Sequence, residues 1–147
     1  MAPLIALIGG FLLARLAGLV GVDPLDGWHP ALRVGLAVMF VVTGLAHFVG
    51  RRDDLVAMVP PRMPRPDLLV TITGVLELAG AAGLLVPATA RLAAGGLALL
   101  MIAMFPANVS AARRHLTLGG RPVTPLPLRT LLQAVFLAAA VAVVVGY

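Results

Sequence analysis

Four side chains that can exchange a proton or form directed hydrogen bonds interrupt long apolar runs: His47, Glu77, Asn108 and Gln133. Their types suit recognition of a ligand carbonyl. An imidazole or a carboxyl can give or take a proton, and a carboxamide both donates and accepts. Thr43 lies four residues before His47 and Thr73 four before Glu77. On helices, each hydroxyl then shares a face with the ionisable group. Arg15 places a guanidinium inside a further apolar run, and Thr71 and Ser110 add hydroxyls.

The elements that must position these groups are dictated by hydropathy. The 147-residue chain is 61% apolar and only 12% charged, with a mean hydropathy of +1.05. A soluble domain of this size cannot bury so much apolar surface. Five segments, Pro3 to Val22, Ala31 to Gly50, Leu68 to Pro87, Leu92 to Ala112 and Thr130 to Tyr147, each approach the ~20 residues that cross a hydrocarbon core as a helix. Open strands would leave backbone groups unpaired in lipid. The expected fold class is therefore all-α, a single membrane-embedded domain of four to five transmembrane helices. Dense Gly and Ala, as in Gly80-Ala81-Ala82-Gly83 and Ala93-Ala94-Gly95-Gly96, allow close helix packing.

The first segment, 3–22, holds Arg15 in its interior, at a cost of about 2.5–3.5 kcal/mol on insertion scales. It is read as a helix and not as a signal peptide. No basic stretch precedes it, no small-residue cleavage site closes it, and its charge lies within the apolar run.

The chain contains no Cys, which excludes disulfide, thiol and Cys-ligated metal chemistry. Its net charge of +5 comes entirely from Arg, with no Lys. Arg51, Arg52, Arg62 and Arg65 fall in loop 51–67, and Arg113, Arg114, Arg121 and Arg129 in loop 113–129. The two opposite connections carry only Arg33 and Arg91. This asymmetry is the positive-inside pattern of a multi-pass protein of the cytoplasmic membrane, with loops 51–67 and 113–129 on the cytoplasmic face. It makes a nucleic-acid partner unnecessary as an explanation of the charge. Tyr147 then falls at the outer interface. Asp53 to Met58 reads as a short interfacial helix with its acids at the N-terminus. The Pro-rich stretch 59–66 and the Gly- and Pro-rich residues 119–127 read as loops.

Helical rise places the polar groups in two layers. Arg15 lies ~18 Å and Glu77 ~15 Å from the cytoplasmic starts of their helices, and His47, Asn108 and Gln133 lie ~4–6 Å from cytoplasmic ends. Matching depth makes Arg15 and Glu77 candidates for a buried ion pair. His47, Glu77, Asn108, Thr43 and Gln133 are candidates for ligand binding, with interhelical hydrogen bonding the alternative for the two amides. Pro106 frees the Ile102 carbonyl beside Asn108. A metal is not expected: such centres need three or four ligands, and His29 and His115 lie on opposite sides.

Four short motifs then carry a resemblance: Thr43-Gly44-Leu45-Ala46-His47-Phe48, Met58-Val59-Pro60-Pro61, Gly74-Val75-Leu76-Glu77 and Phe105-Pro106-Ala107-Asn108. In this order and spacing the chain resembles the DoxX-like family of small bacterial membrane proteins, over residues 31–147. The resemblance implies four helices, with 3–22 an addition, and shared polar positions at His47, Glu77 and Asn108. Some members of that family are associated with quinone-linked sulfur oxidation, and relatives in the wider group with maturation of redox enzymes.

The expectation is a bundle in lipid that binds a small lipophilic ligand such as a quinone within a redox-linked complex. No other cofactor is evident, and whether the protein is an enzyme is left open. The alternative is a non-catalytic subunit or assembly factor that docks a soluble protein on its cytoplasmic face. A transporter with so few helices would have to be a homo-oligomer.

Overall fold

Each of the five apolar runs forms a helix long and apolar enough to cross a membrane. The protein is a multi-pass, all-α membrane protein. The structure is a computed structural model that describes residues 1–146. The expected interfacial position of Tyr147 lies outside the described residues. The long helices are α1 (Ala2–Leu19), α2 (Trp28–Ala46), α4 (Pro66–Leu85), α5 (Ala90–Arg113) and α6 (Leu126–Val145), and the short helix α3 (Arg52–Met58) lies between α2 and α4. Pro3, Pro66 and Pro127 stand in the first turns of α1, α4 and α6. Proline fits there because the first N–H groups have no helical partner.

Several helix boundaries depart from the hydropathy reading. Helix α1 stops at Leu19, before the predicted Val22, and Gly21 turns the chain at φ +108°. Helix α2 stops at Ala46 and residues 47–50 form a turn. The Arg52 guanidinium donates to the His47 carbonyl at 3.0 Å, in place of a further helical N–H. Helix α6 begins at Leu126, a turn before the predicted Thr130, so Arg129 belongs to a helix and not to a loop.

Helices α2, α4, α5 and α6 pack around one another in a closed ring, α2 on α4, α4 on α5, α5 on α6 and α6 back on α2. Helix α1 lies outside the ring, against α2. Glycines set the approach: a Cβ on Gly10 would stand 3.0 Å from the Gly35 Cα, and one on Gly35 2.7 Å from the Leu7 carbonyl oxygen. Leu36, Leu84, Ala94, Leu97, Ala140 and Val143 form the packed core, in the half of the bundle away from the Arg-rich loops. Ile5, Leu13, Leu92 and Leu99 are each more than two-thirds exposed, as lipid-facing side chains are.

Side chains close the helix ends. On the Arg-poor side, Arg33 donates to the Leu84 carbonyl at 2.8 Å and His29 Nε2 to the Val143 carbonyl at 3.1 Å. These are last-turn carbonyls of α4 and α6, which have no intrahelical partner. On the Arg-rich side, Arg52 also donates to the Asp67 carbonyl and to Thr71 Oγ1, and Arg114 to the Ala57 and Val59 carbonyls. The predicted loop 113–129 contains a two-residue hairpin that the sequence reading did not anticipate. Strands β1 (Thr117–Leu118) and β2 (Arg121–Pro122) are antiparallel, with Leu118 opposite Arg121. Gly119 and Gly120 both have positive φ, as a tight two-residue hairpin turn requires. The Gly119 N–H donates to Asp54 Oδ2 at 2.7 Å, which ties the hairpin to α3.

Candidate functional site

Two polar side chains are buried among the described residues, His47 and Glu77, each 4% exposed. His47 caps α2 and Glu77 lies in the middle of α4. Gly74, one turn before Glu77, makes room for the imidazole: a Cβ there would stand 2.5 Å from the His47 Cβ. Gly44 admits the Leu78 side chain in the same way.

The hydrogen bonds define the pair. His47 Nδ1 lies 2.9 Å from the Thr43 carbonyl. A carbonyl only accepts, so Nδ1 carries a proton. Nε2 is then the free end, and it stands 4.0 Å from Glu77 Oε1. Glu77 Oε2 accepts the Thr43 hydroxyl at 2.5 Å. The carboxyl is therefore oriented, with one oxygen held by Thr43 and the other turned to the imidazole. A net charge on a buried pair is strongly disfavoured. Imidazole with carboxylic acid and imidazolium with carboxylate are the two neutral arrangements, and both leave one proton between Nε2 and Oε1. At 4.0 Å the two atoms are beyond direct hydrogen-bond distance. A small group between them can bond to both.

The pair forms part of the wall of a cavity of about 530 Å³ in the Arg-rich half of the bundle. Thr43, His47, Glu77, Asn108 and Gln133 all line it. Met39, Phe40, Met101, Met104 and Phe136 supply much of its apolar surface, and Met1 with Ala2 to Leu4 of α1 also line it. An apolar hollow of this size with a few convergent polar groups is the usual form of a small-molecule site.

The five ligand-binding candidates thus meet on one cavity, but not in two layers. The Cα–Cβ bonds of a helix tilt toward its N-terminus. Helices α2 and α4 run in opposite directions, so His47 leans into the bundle and Glu77 leans toward the Arg-rich loops. That tilt closes the gap in depth that the rise per residue implied.

The amides serve the wall and the packing together. Gln133 Nε2 donates to the Met101 carbonyl at 2.9 Å, which joins α6 to α5 beside the position Pro106 leaves without an N–H donor. Asn108 Oδ1 accepts from Arg129 Nη1. Thr73 turns its hydroxyl back to the Leu69 and Val70 carbonyls, at 2.9 and 3.1 Å.

The proposed Arg15–Glu77 ion pair is not formed. Arg15 pairs with Asp26 at 3.3 Å, and both side chains are partly solvent-accessible. Arg15 is four residues from the end of α1, within reach of the interface for a long side chain, and α1 packs on α2. Equal depth along two helices did not bring their side chains together. Two charged cavity residues are not apparent as site residues from the sequence, Arg51 and Arg129. In the residue order both fall among the loop arginines that mark topology. The signal that could have identified Arg129 is its place four residues after Pro125, inside the first turn of a helix whose second residue is Pro127. Among the described residues no three His, Asp or Glu side chains gather as a metal site would need.

The family model described as Domain of unknown function (DUF8561) matches residues 36–144. The match begins inside α2, so Thr43, His47, Glu77, Asn108, Arg129 and Gln133 fall within it, while α1, Arg15 and Asp26 fall outside. No curated protein and no solved structure matches the chain.

Proposed function

We propose that this chain, which belongs to the DUF8561 family, is a DoxX-like membrane protein that binds a small lipophilic ligand of the quinone class as part of a redox-linked complex. The observation that carries the reading is the convergence of His47, Glu77, Thr43, Asn108 and Gln133 on one largely apolar cavity. A quinone needs an apolar slot for its ring and a proton donor at its carbonyl oxygen. His47 Nε2 and Glu77 Oε1 face each other with one proton between them, so either can donate to an oxygen seated between the two. Thr43 keeps Glu77 oriented for that role. The Arg-rich loops face the cytoplasm in this reading, which puts the cavity in the cytoplasmic half of the membrane.

The test is thermal stability of the purified protein in detergent, with and without a panel of quinones. A bound quinone raises the melting temperature with concentration. His47→Ala abolishes the increase and leaves a folded bundle. Equal stabilisation of wild type and variant would sink the assignment of the site.

A second reading has its own observation. Arg62, Arg65, Arg113 and Arg121 are exposed on the Arg-rich side, and their side chains form no hydrogen bond or ion pair among the described residues. They make a cationic face for an acidic soluble protein, with the bundle as its membrane anchor. Crosslinking in native membranes that recovers no reproducible partner at these positions argues against it.

A further inference from the structure

The polar wall of the cavity is not balanced in charge. Arg51 and Arg129 both line it, and neither is ion-paired: the ion pairs among the described residues are Arg15–Asp26 and His47–Glu77. The one carboxylic side chain on the wall, Glu77, is held by Thr43 and faces His47. Asp54, close to Arg51 in sequence, is taken up by the Gly119 N–H.

Arg129 is held in place without being neutralised. Its Nε donates to the Thr124 carbonyl at 3.0 Å and its Nη1 to Asn108 Oδ1. Both acceptors are uncharged. Nη2 makes no hydrogen bond to protein among the described residues, and it is not sealed from solvent or ligand. A guanidinium fixed at two nitrogens, with a free third and no counter-ion, is preorganised for an oxyanion. An ionisable group within a membrane span is by default a candidate for a functional site.

We propose that the cavity has a second, cationic subsite, Arg129 oriented by Asn108 with Arg51 lining the same cavity, that takes the carboxylate of an amphiphilic ligand whose apolar part lies against Met39, Met104 and Phe136. The inference rests on the reading of the cavity as a ligand site. It adds an acidic head group to the ligand, at a position separate from the His47–Glu77 pair.

The experiment uses the full chain in nanodiscs of zwitterionic phosphatidylcholine and three probes: dodecanoate, its methyl ester, and inorganic phosphate. Dodecanoate and the ester share a tail and differ in charge. Wild type binds dodecanoate tighter than the ester by on the order of tenfold or more, as a charge-assisted bond to a fixed guanidinium requires. Arg129→Gln removes that preference, Arg129→Lys restores it in part, and Arg62→Gln, exposed and outside the cavity, leaves it in place. Phosphate alone competes weakly, because it lacks the apolar part. Equal affinity of wild type for acid and ester overturns the proposal without reference to any variant, so a misfolded substitution cannot shelter it. An unchanged preference in folded Arg129→Gln overturns it as well, and phosphate binding as tight as dodecanoate shows a free-anion site instead. Quinone binding that depends on His47 is measured separately, so the two readings of the cavity fail independently.

Discussion

His47 Nε2 faces Glu77 Oε1 across 4.0 Å, and the two groups come from helices that run in opposite directions. The imidazole is anchored at its other nitrogen by the Thr43 carbonyl, and the carboxyl at its other oxygen by the Thr43 hydroxyl. One residue on α2 therefore orients both members of the pair. That arrangement makes the pair a unit whose parts are not independently replaceable.

Energetic coupling is the first expected consequence. His47→Ala leaves Glu77 buried without its facing partner, at a cost of about 1–3 kcal/mol. Glu77→Leu alone leaves the imidazole in a similar position. The double substitution costs less than the sum of the two by about 0.5–3 kcal/mol. Reversible denaturation of the four proteins in one detergent measures the difference, and strict additivity contradicts the pairing.

The glycine beside the pair is the second. A Cβ at Gly74 stands 2.5 Å from the His47 Cβ, and α4 and α2 must part to admit it. Gly74→Ala is expected to destabilise by about 1–3 kcal/mol and to remove ligand-induced stabilisation. Gly96→Ala is the control, because nothing lies within 4 Å of a Cβ there. Similar melting temperatures for both variants would show that His47 does not depend on this close approach.

Arg15 should behave as a surface residue. Its partner Asp26 is largely exposed, and such pairs contribute only about 0–1 kcal/mol. Arg15→Leu is expected to be nearly neutral, and its effect should add to that of Glu77→Gln. A coupling between these two substitutions comparable to that of the His47–Glu77 pair would restore the ion pair that the geometry excludes.

Orientation is open to a direct check, since the chain has no Cys. Single substitutions Arg62→Cys and Arg91→Cys place one thiol on each side of the bundle. In intact spheroplasts a membrane-impermeant maleimide should label position 91 and not position 62. The reverse pattern would put the Arg-rich loops outside.

Much of the architecture is legible in the residue order because lipid admits few solutions. An apolar run of about 20 residues without backbone partners outside itself must be a helix, and α1, α2, α4, α5 and α6 all fall on such runs. Helix ends were less legible. The stop of α2 at Ala46 depends on a guanidinium that comes from Arg52 in the next element. The early start of α6 has Pro127 in its first turn, where proline fits and which hydropathy does not register. The rarity of polar groups in the spans identified His47, Glu77, Asn108, Gln133 and Thr43, because each such group in an apolar run needs a reason to be there.

Which of those groups meet was settled only by packing. Distance along a helix axis constrains depth and says nothing about azimuth, so Arg15 and Glu77 could share a depth and still point into different surroundings. The direction in which a side chain leans, the neighbour that a glycine admits and the ring order of the helices are three-dimensional facts. Residue order determines that this chain lies in a membrane and carries a few costly polar groups. Helix azimuth and the close approach at Gly74 decide that five of those groups share one hollow with Arg129 and that Arg15 does not.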